Sequence, residues 1–293
     1  MNDDDPDGPI KEIAGYKIKK YINSGLSGDV FEAERSGIKY ALKIAKKEKL
    51  EYSNNSILYE FSVYNDLYGM MGICKPILIR YGRRNILVMD LLDKNLREIT
   101  VNISMLVKVS IDILNIIQLI HEHGYIHGDI KPSNFMVDKT GKNVYCIDFG
   151  LARKYLINDK HVKFEKLPIF KGNYRYASYT ASDKYTQSRK DDLISIGYLL
   201  VYLWKGSLPW SNAKSKKQIN YMKSTISIKK LCSGLSEKFI LFFEYVNGLN
   251  FEETPNYEYL RSLFKLMESY LLKVSPTSTI TVSPDNTLFG LFR

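Results

Sequence analysis

Cysteine is scarce in this 293-residue sequence. Cys74, Cys146 and Cys232 lie far apart and form no CxxC or Cys/His cluster. That excludes the usual structural metal spacings and reads as free thiols in a reducing compartment. The longest unbroken apolar run, Ile196 to Trp204, is too short to span a bilayer. The opening MNDDDPDGP is acidic and polar and lacks the apolar stretch of a secretory signal. No internal repeat is visible. These absences point to a soluble, intracellular chain, in cytoplasm or nucleus, with no membrane partner.

Apolar residues make up 45% of the chain, enough for a sizeable core, and the length suits one large domain or two lobes. A formal net charge of +10 favours anionic partners. The basic residues are dispersed and no nucleic-acid-binding module is visible, so nucleic acid is not expected as the primary partner. A monomer is expected.

Residues 1–13 read as a loose acidic leader. From Tyr16 to Leu92 the pattern is short and strand-like, in YKIKKYI, DVFEAE and IKYALKIA, each bounded by glycine or charged turns. One helix interrupts it around Ser56 to Tyr68. Its apolar positions Ile57, Phe61, Tyr64, Leu67 and Tyr68 recur at helical spacing, and Glu60 projects from the same side. After LLDKNL, residues 91–96, helices take over. Ser104 to Ile120 presents Leu106, Val109, Ile113, Ile117 and Ile120 on one face, with Gly124 placed as a terminator. NFMVD and NVYCID follow as short strands, and Ala152 to Arg189 reads as irregular. Asp191 to Trp204 is apolar nearly all round, as in a helix buried on every side. The Ser/Thr/Pro-rich end reads as a flexible tail. The expected architecture is α+β and two-lobed: leader 1–13, β-rich lobe 14–92, helical lobe 93–272 and tail 273–293.

Asn23, Ser24, Gly25, Ser27, Gly28 and Val30 lie in a stretch between two expected strands. Glycines there let a backbone approach phosphates and point N–H groups at them, although an ordinary glycine-containing hairpin has the same signature. Lys43 follows in Tyr40-Ala41-Leu42-Lys43. It could reach nucleotide phosphates while Ala41 leaves room for a flat base; the alternative is a surface lysine on an edge strand. Glu60, on the apolar face of its helix, could pair with Lys43.

YIHGDIKPSN, residues 125–134, is the sharper signal. Phosphoryl transfer to a hydroxyl needs an acceptor for the developing proton, which Asp129 offers. It needs positive charge at the transferred group, which Lys131 offers, and a metal ligand, which Asn134 offers. Asp148-Phe149-Gly150 then adds an aspartate at a strand end for Mg²⁺, which prefers oxygen ligands and lets phosphates complete its shell.

The ordered set Gly25/Gly28, Lys43, Glu60, His127-Gly128-Asp129, Asn134 and Asp148-Phe149-Gly150 resembles the protein-kinase fold. More narrowly, LVMDLLDKNL (87–96), GNYRYAS (172–178), QSRKDDLISIGYLLVYLWKGSLPW (187–210) and FEETPNYEYLRSLF (251–264) resemble the casein kinase I group, including its vaccinia-related branch. The resemblance covers residues 14 to about 270 and implies a Ser/Thr protein kinase that uses ATP and Mg²⁺ on protein substrates. It implies that Asp192 anchors the catalytic loop and that Met89 stands beside the adenine. Asp90 to Leu92 would offer hinge backbone groups, Ala41 and Met136 would sandwich the base, and His127, Phe149 and Tyr64 would stack in an internal spine.

There are departures. Gly128 stands where most kinases have an arginine that pairs with a phosphorylated loop, so constitutive activity is expected. HGD is closer to the vaccinia-related branch than to the main group, which leaves the branch open. Ala177-Ser178-Tyr179-Thr180 replaces A-P-E, and Asn23 and Ser27 make the glycine-rich loop atypical. Arg175, with Lys171 upstream and Lys214, Lys216 and Lys217, could form an anion pocket for acidic or phosphorylated substrates, or be a solvated basic surface. Two rival readings stand beside the protein kinase. One is a pseudokinase scaffold; the other is a small-molecule kinase with a similar HGD loop.

Overall fold

A computed structural model describes residues 11–25 and 27–274, so most of the acidic leader and nearly all of the tail lie outside the described residues. The described chain divides into two compact units. Residues up to Gly69, together with Ile73–Asp93, form the first, and Met70–Gly72 with Lys94 onward form the second.

The first unit is a six-stranded antiparallel sheet in the order β1-β2-β3-β4-β6-β5. Its strands are β1 (Glu12–Ile13), β2 (Tyr16–Ser24), β3 (Gly28–Arg35), β4 (Ile38–Ala45), β5 (Ile77–Tyr81) and β6 (Arg84–Asp90). Ser36 and Gly37, both at positive φ, make the two-residue turn between β3 and β4, whose twist matches that of the strands. Residues 12 and 13 belong to the sheet and not to the leader, because Ile13 pairs with Tyr16 and is fully buried. Side chains alternate between the two faces of the sheet. One face closes a core of Ile13, Tyr16, Ala33, Leu42, Ile44, Ile86 and Val88. On the other, Ala45 and Leu87 pack against Ile57 of helix α1 (Leu50–Asp66).

Helix α1 starts six residues before the expected Ser56. Its first turns are polar, and Lys49 supplies no side-chain cap, so neither periodicity nor capping marks the start. Asn54 ties them down instead, donating to Arg83 O at 2.7 Å and accepting from Asn85 N at 2.7 Å. The helix ends at Asp66, so Tyr68 lies past it and is exposed, contrary to the expected apolar stripe.

The second unit is mainly helical. Helix α2 (Ile103–Glu122) is capped by Asn102, which accepts from Met105 N at 2.8 Å, and the expected five apolar residues are all buried. By length and composition α2 could cross a membrane. Ten of its residues are buried, and it packs against α4 (Arg189–Lys205) and α8 (Tyr257–Val274), which accounts for its apolarity as core. Helix α7 (Glu237–Gly248) packs on α4 and α8, with Phe239 and Phe242 edge-on or tilted to Phe264. Helix α4 is buried from Asp191 through Val201, while its last turn is half-buried.

Between α2 and α4 lie the elements that carry the candidate site. Strand β7 (Tyr125–Ile126) pairs with β10 (Arg153–Lys154), and β8 (Phe135–Val137) pairs with β9 (Val144–Cys146). The stretch expected to be irregular holds a small hairpin, β11 (Leu156–Ile157) with β12 (Lys160–His161), and the one-turn helix α3 (Tyr179–Ser182). Elements this short give no periodic signal.

Candidate active site

In the first unit, Lys43 and Glu60 meet in a dry setting. Lys43 Nζ lies 2.6 Å from Glu60 Oε2, and the side chains are 6% and 1% exposed. Strand alternation puts Val30, Ala41 and Lys43 on one face, with Met89 opposite Ala41 and Leu87 opposite Lys43. Glu60 faces them because it shares the buried stripe of α1 with Ile57, Val63 and Tyr64. Of the hinge residues, Asp90 ends β6 exposed and Leu92 is half-buried.

The glycine-rich stretch is a hairpin end in which Gly25 N–H donates to Gly28 O at 2.9 Å and Ser24 Oγ to Asp29 Oδ1 at 2.6 Å. Asn23 Oδ1 accepts from Ser24 N at 2.8 Å, which braces the residue standing where a first glycine is usual. The two glycines differ in what they require. A Cβ on Gly28 would come within 2.7 Å of Ile44 O, so packing onto β4 already demands glycine there. Gly25 has open space apart from Gly28 O at 3.6 Å.

The sharper motif lies in the second unit. Asp129 Oδ2 is 2.5 Å from Lys131 Nζ, and Asn134 Nδ2 donates to Asp129 O at 3.0 Å and Oδ2 at 3.2 Å. The backbone that carries Asp129 is fixed from below. Asp192 on α4 accepts from His127 N at 2.7 Å and Gly128 N at 2.9 Å. His121 Nε2 is 3.0 Å from Asp192 Oδ2, and its Nδ1 is 2.5 Å from Tyr257 OH. Burial opposes the charge on Asp192, but the bonds from His121 and Gly128 hold its carboxyl below the usual range. Burial also lowers His121, against the pull of Asp192. A neutral imidazole that donates through Nε2 and accepts from the tyrosine hydroxyl satisfies all three groups. His127 lies 5.4 Å from Phe149 ring to ring, and Tyr64 is buried in α1 of the other unit.

Asp148 is half-buried with φ +65°, a conformation that costs energy for a residue with a Cβ. Met136 is half-buried in β8. Among the described residues no group of three or more His, Cys, Asp or Glu could hold a metal ion. Asn134 and Asp148 carry side-chain oxygens, the donor type that Mg²⁺ takes alongside phosphate oxygens.

The protein kinase domain model matches residues 16–283. A probable casein kinase I homolog of Encephalitozoon cuniculi is 34% identical over 273 residues, covering 86% of this chain and 88% of that protein. The chain belongs to the protein kinase family, in its casein kinase I group. It is an ATP-dependent serine/threonine protein kinase, and the family uses ATP with Mg²⁺.

Within that family the glycine of HGD acquires a physical account. Gly128 sits at φ +73°, and a Cβ there would meet Leu151 O at 3.0 Å, Gln187 Oε1 at 3.2 Å and Arg153 Nη2 at 3.4 Å. Arg153 hydrogen-bonds Gln187. Neither residue was expected at the site. Both reach it from a distance, Arg153 through the β7–β10 pairing and Gln187 from just before α4.

The departure from A-P-E is likewise tied into the fold. Ser178 Oγ and Thr180 Oγ1 both donate to Asp191 Oδ1, the latter at 2.8 Å, and Ser188 N donates to Asp191 Oδ2 at 2.8 Å. Burial chiefly raises the Asp191 carboxyl, against these bonds. Gly128, Asp129, Asn173, Ala177 and Gln187 line one small pocket, so segment 172–178 borders the catalytic loop. Arg175 is exposed, with Nη2 3.4 Å from Ser211 O, and Lys216 lies over the Tyr174 ring at 4.9 Å. Lys171, Lys214 and Lys217 are exposed.

Proposed function

We propose that this kinase transfers the γ-phosphoryl of ATP to Ser/Thr hydroxyls through Asp129, without waiting for phosphorylation of its own loop. The observation that carries the reading is the Asp129–Lys131–Asn134 cluster on a backbone clamped by Asp192. Asp129 orients the incoming hydroxyl and accepts its proton, and Lys131 stabilises the transferred group. Lys43, oriented by Glu60, positions the nucleotide, with Asn23, Ser24, Gly25, Gly28 and Val30 over its phosphates. Ala41, Met89, Asp90, Leu92 and Met136 receive the base. Asn134 and Asp148 are the residues that would hold Mg²⁺, which neutralises phosphate charge when bound.

Gly128 supports constitutive activity. It offers no side chain to a phosphorylated loop, and the space a side chain would take is filled by Leu151, Gln187 and Arg153. Arg175, backed by Lys216, favours acidic or phosphorylated protein substrates through charge-assisted hydrogen bonds, with Lys171, Lys214 and Lys217 adding to the field. A monomeric chain acting in cytoplasm or nucleus belongs to the same reading, as do its functional limits: an N-lobe over 14–92 and a C-lobe over 93–272.

Label transfer from γ-³²P ATP·Mg²⁺ to acidic casein and to basic histone, with Asp129→Asn as control, tests it. Loss of the acid–base group is expected to lower transfer by about 10²–10⁴-fold. Casein is the expected better substrate. A preference for histone would overturn the acidic-substrate reading, and equal transfer by Asp129→Asn would remove Asp129 from its role.

A further inference from the structure

Segment 172–178 is held by side chains from outside it, and their donors go to its backbone. Lys223, on α5 (Lys216–Thr225), is 7% exposed, and its Nζ donates to Tyr174 O at 2.6 Å and Ala177 O at 2.5 Å. The same ammonium lies 5.3 Å from the Tyr198 ring centre and 5.2 Å from that of Trp210. Trp210, 1% exposed, donates its Nε1–H to Arg175 O at 2.7 Å. Three carbonyls of one short segment, at 174, 175 and 177, are thus tied to α5 and to the turn before it. Asn173 closes the turn from inside, its side chain accepting from Arg175 N at 2.9 Å and its carbonyl from Tyr176 N and Ala177 N.

We propose that Lys223 and Trp210 are positioning residues for protein substrate, holding the backbone of residues 174–177 so that Arg175 and the rim beside Asp129 keep the shape a substrate polypeptide meets. The inference rests on the reading of this segment as the peptide-docking surface. A lysine buried with carbonyls and aromatic faces, and with none of its observed contacts to a carboxylate, is an expensive way to fill space. Its two bonds end on non-adjacent carbonyls, which shapes backbone in a way that an apolar side chain of the same length cannot. Burial alone draws Lys223 down to about 7, which marks how far from water this clamp is placed. The groups observed against it are the Tyr174 and Ala177 carbonyls and the rings of Tyr198 and Trp210.

Steady-state kinetics on the full chain test this, with ATP·Mg²⁺ and an acidic serine peptide as substrates. Lys223→Met is expected to raise peptide KM about tenfold, the scale of losing charge-assisted hydrogen bonds, and to leave ATP Kd unchanged. Trp210→Phe, which keeps a ring and removes the N–H, is expected to raise it about threefold. Arg175→Ala serves as the reference for the docking reading. If Arg175→Ala raises peptide KM and neither other variant does, the positioning inference alone is overturned. If Arg175→Ala leaves peptide KM unchanged, the docking reading fails and the inference with it. A Lys223→Met chain that no longer binds ATP has lost its fold, and Trp210→Phe then decides. Equal losses in ATP affinity, kcat and peptide KM in a folded variant would show general loosening and overturn the proposal.

Discussion

Among the described residues two lysines are buried, Lys43 in the β-rich unit and Lys223 in the helical one, and they are held by different chemistry. Lys43 faces the Glu60 carboxylate, charge against charge. Lys223 faces two carbonyls and two rings. An ion pair fixes where a charge sits, whereas a carbonyl clamp fixes where a backbone sits. The first arrangement suits a group that must meet nucleotide phosphate. The second suits a group that shapes a docking segment.

The contrast breaks most visibly when each lysine is removed. Lys43→Met leaves the Glu60 carboxylate buried without that cation, with an expected loss of about 3–5 kcal/mol in urea unfolding. Adding Glu60→Leu should recover most of that stability while activity stays lost. If Lys43→Met unfolds at the wild-type urea concentration, the pair is not what organises this face.

Lys223→Met should cost less, about 1–3 kcal/mol for carbonyls left unmet. Its pH signature is sharper than its size. An unfolded lysine keeps its proton towards its ordinary 10.5, whereas burial lowers the folded group to about 7. Between these values the unfolded state binds more protons, so the stability margin of wild type over Lys223→Met should rise with pH from 7 to 10 and stay flat below 7. A margin that falls over that range would contradict the low-lying ammonium. Urea midpoints of the two chains at several pH values decide.

Gly128→Ala is expected to have a smaller effect still, about 1–2 kcal/mol for a side chain forced to positive φ, read as a lower thermal midpoint. Turnover should fall with it, because the Cβ would press on Leu151 O beside Asp129.

The two lysines also show what a sequence discloses. Lys43 and Glu60 could be paired on paper because strand alternation and helical spacing fix their directions. Asp129, Lys131 and Asn134 could be grouped because they lie within one turn of chain. Lys223 gives no such signal, since its partners are backbone carbonyls some fifty positions earlier, and a carbonyl has no residue type. Arg153 and Gln187 beside Gly128 were illegible for a related reason: tertiary pairing, and not spacing, brings them there. Fold elements follow the same division. Helix α2 was readable from its stripe and from Gly124 past its end, whereas its Asn102 cap, the polar start of α1, the two-residue β1 and the one-turn α3 were not. The apolar stripe of α1 was over-extended to Tyr68 because no cap marks the true end at Asp66.

Asp192 holds the catalytic loop through two backbone hydrogen bonds, and in the proposed function Gly128 leaves this loop independent of loop phosphorylation. The most direct test compares initial turnover of the phosphatase-treated chain, verified by mass as unmodified, with that of the chain preincubated with ATP·Mg²⁺. The account predicts equal turnover from the first seconds. A lag, or a large gain after preincubation that tracks phosphate on residues between Asp148 and Arg189, would contradict it.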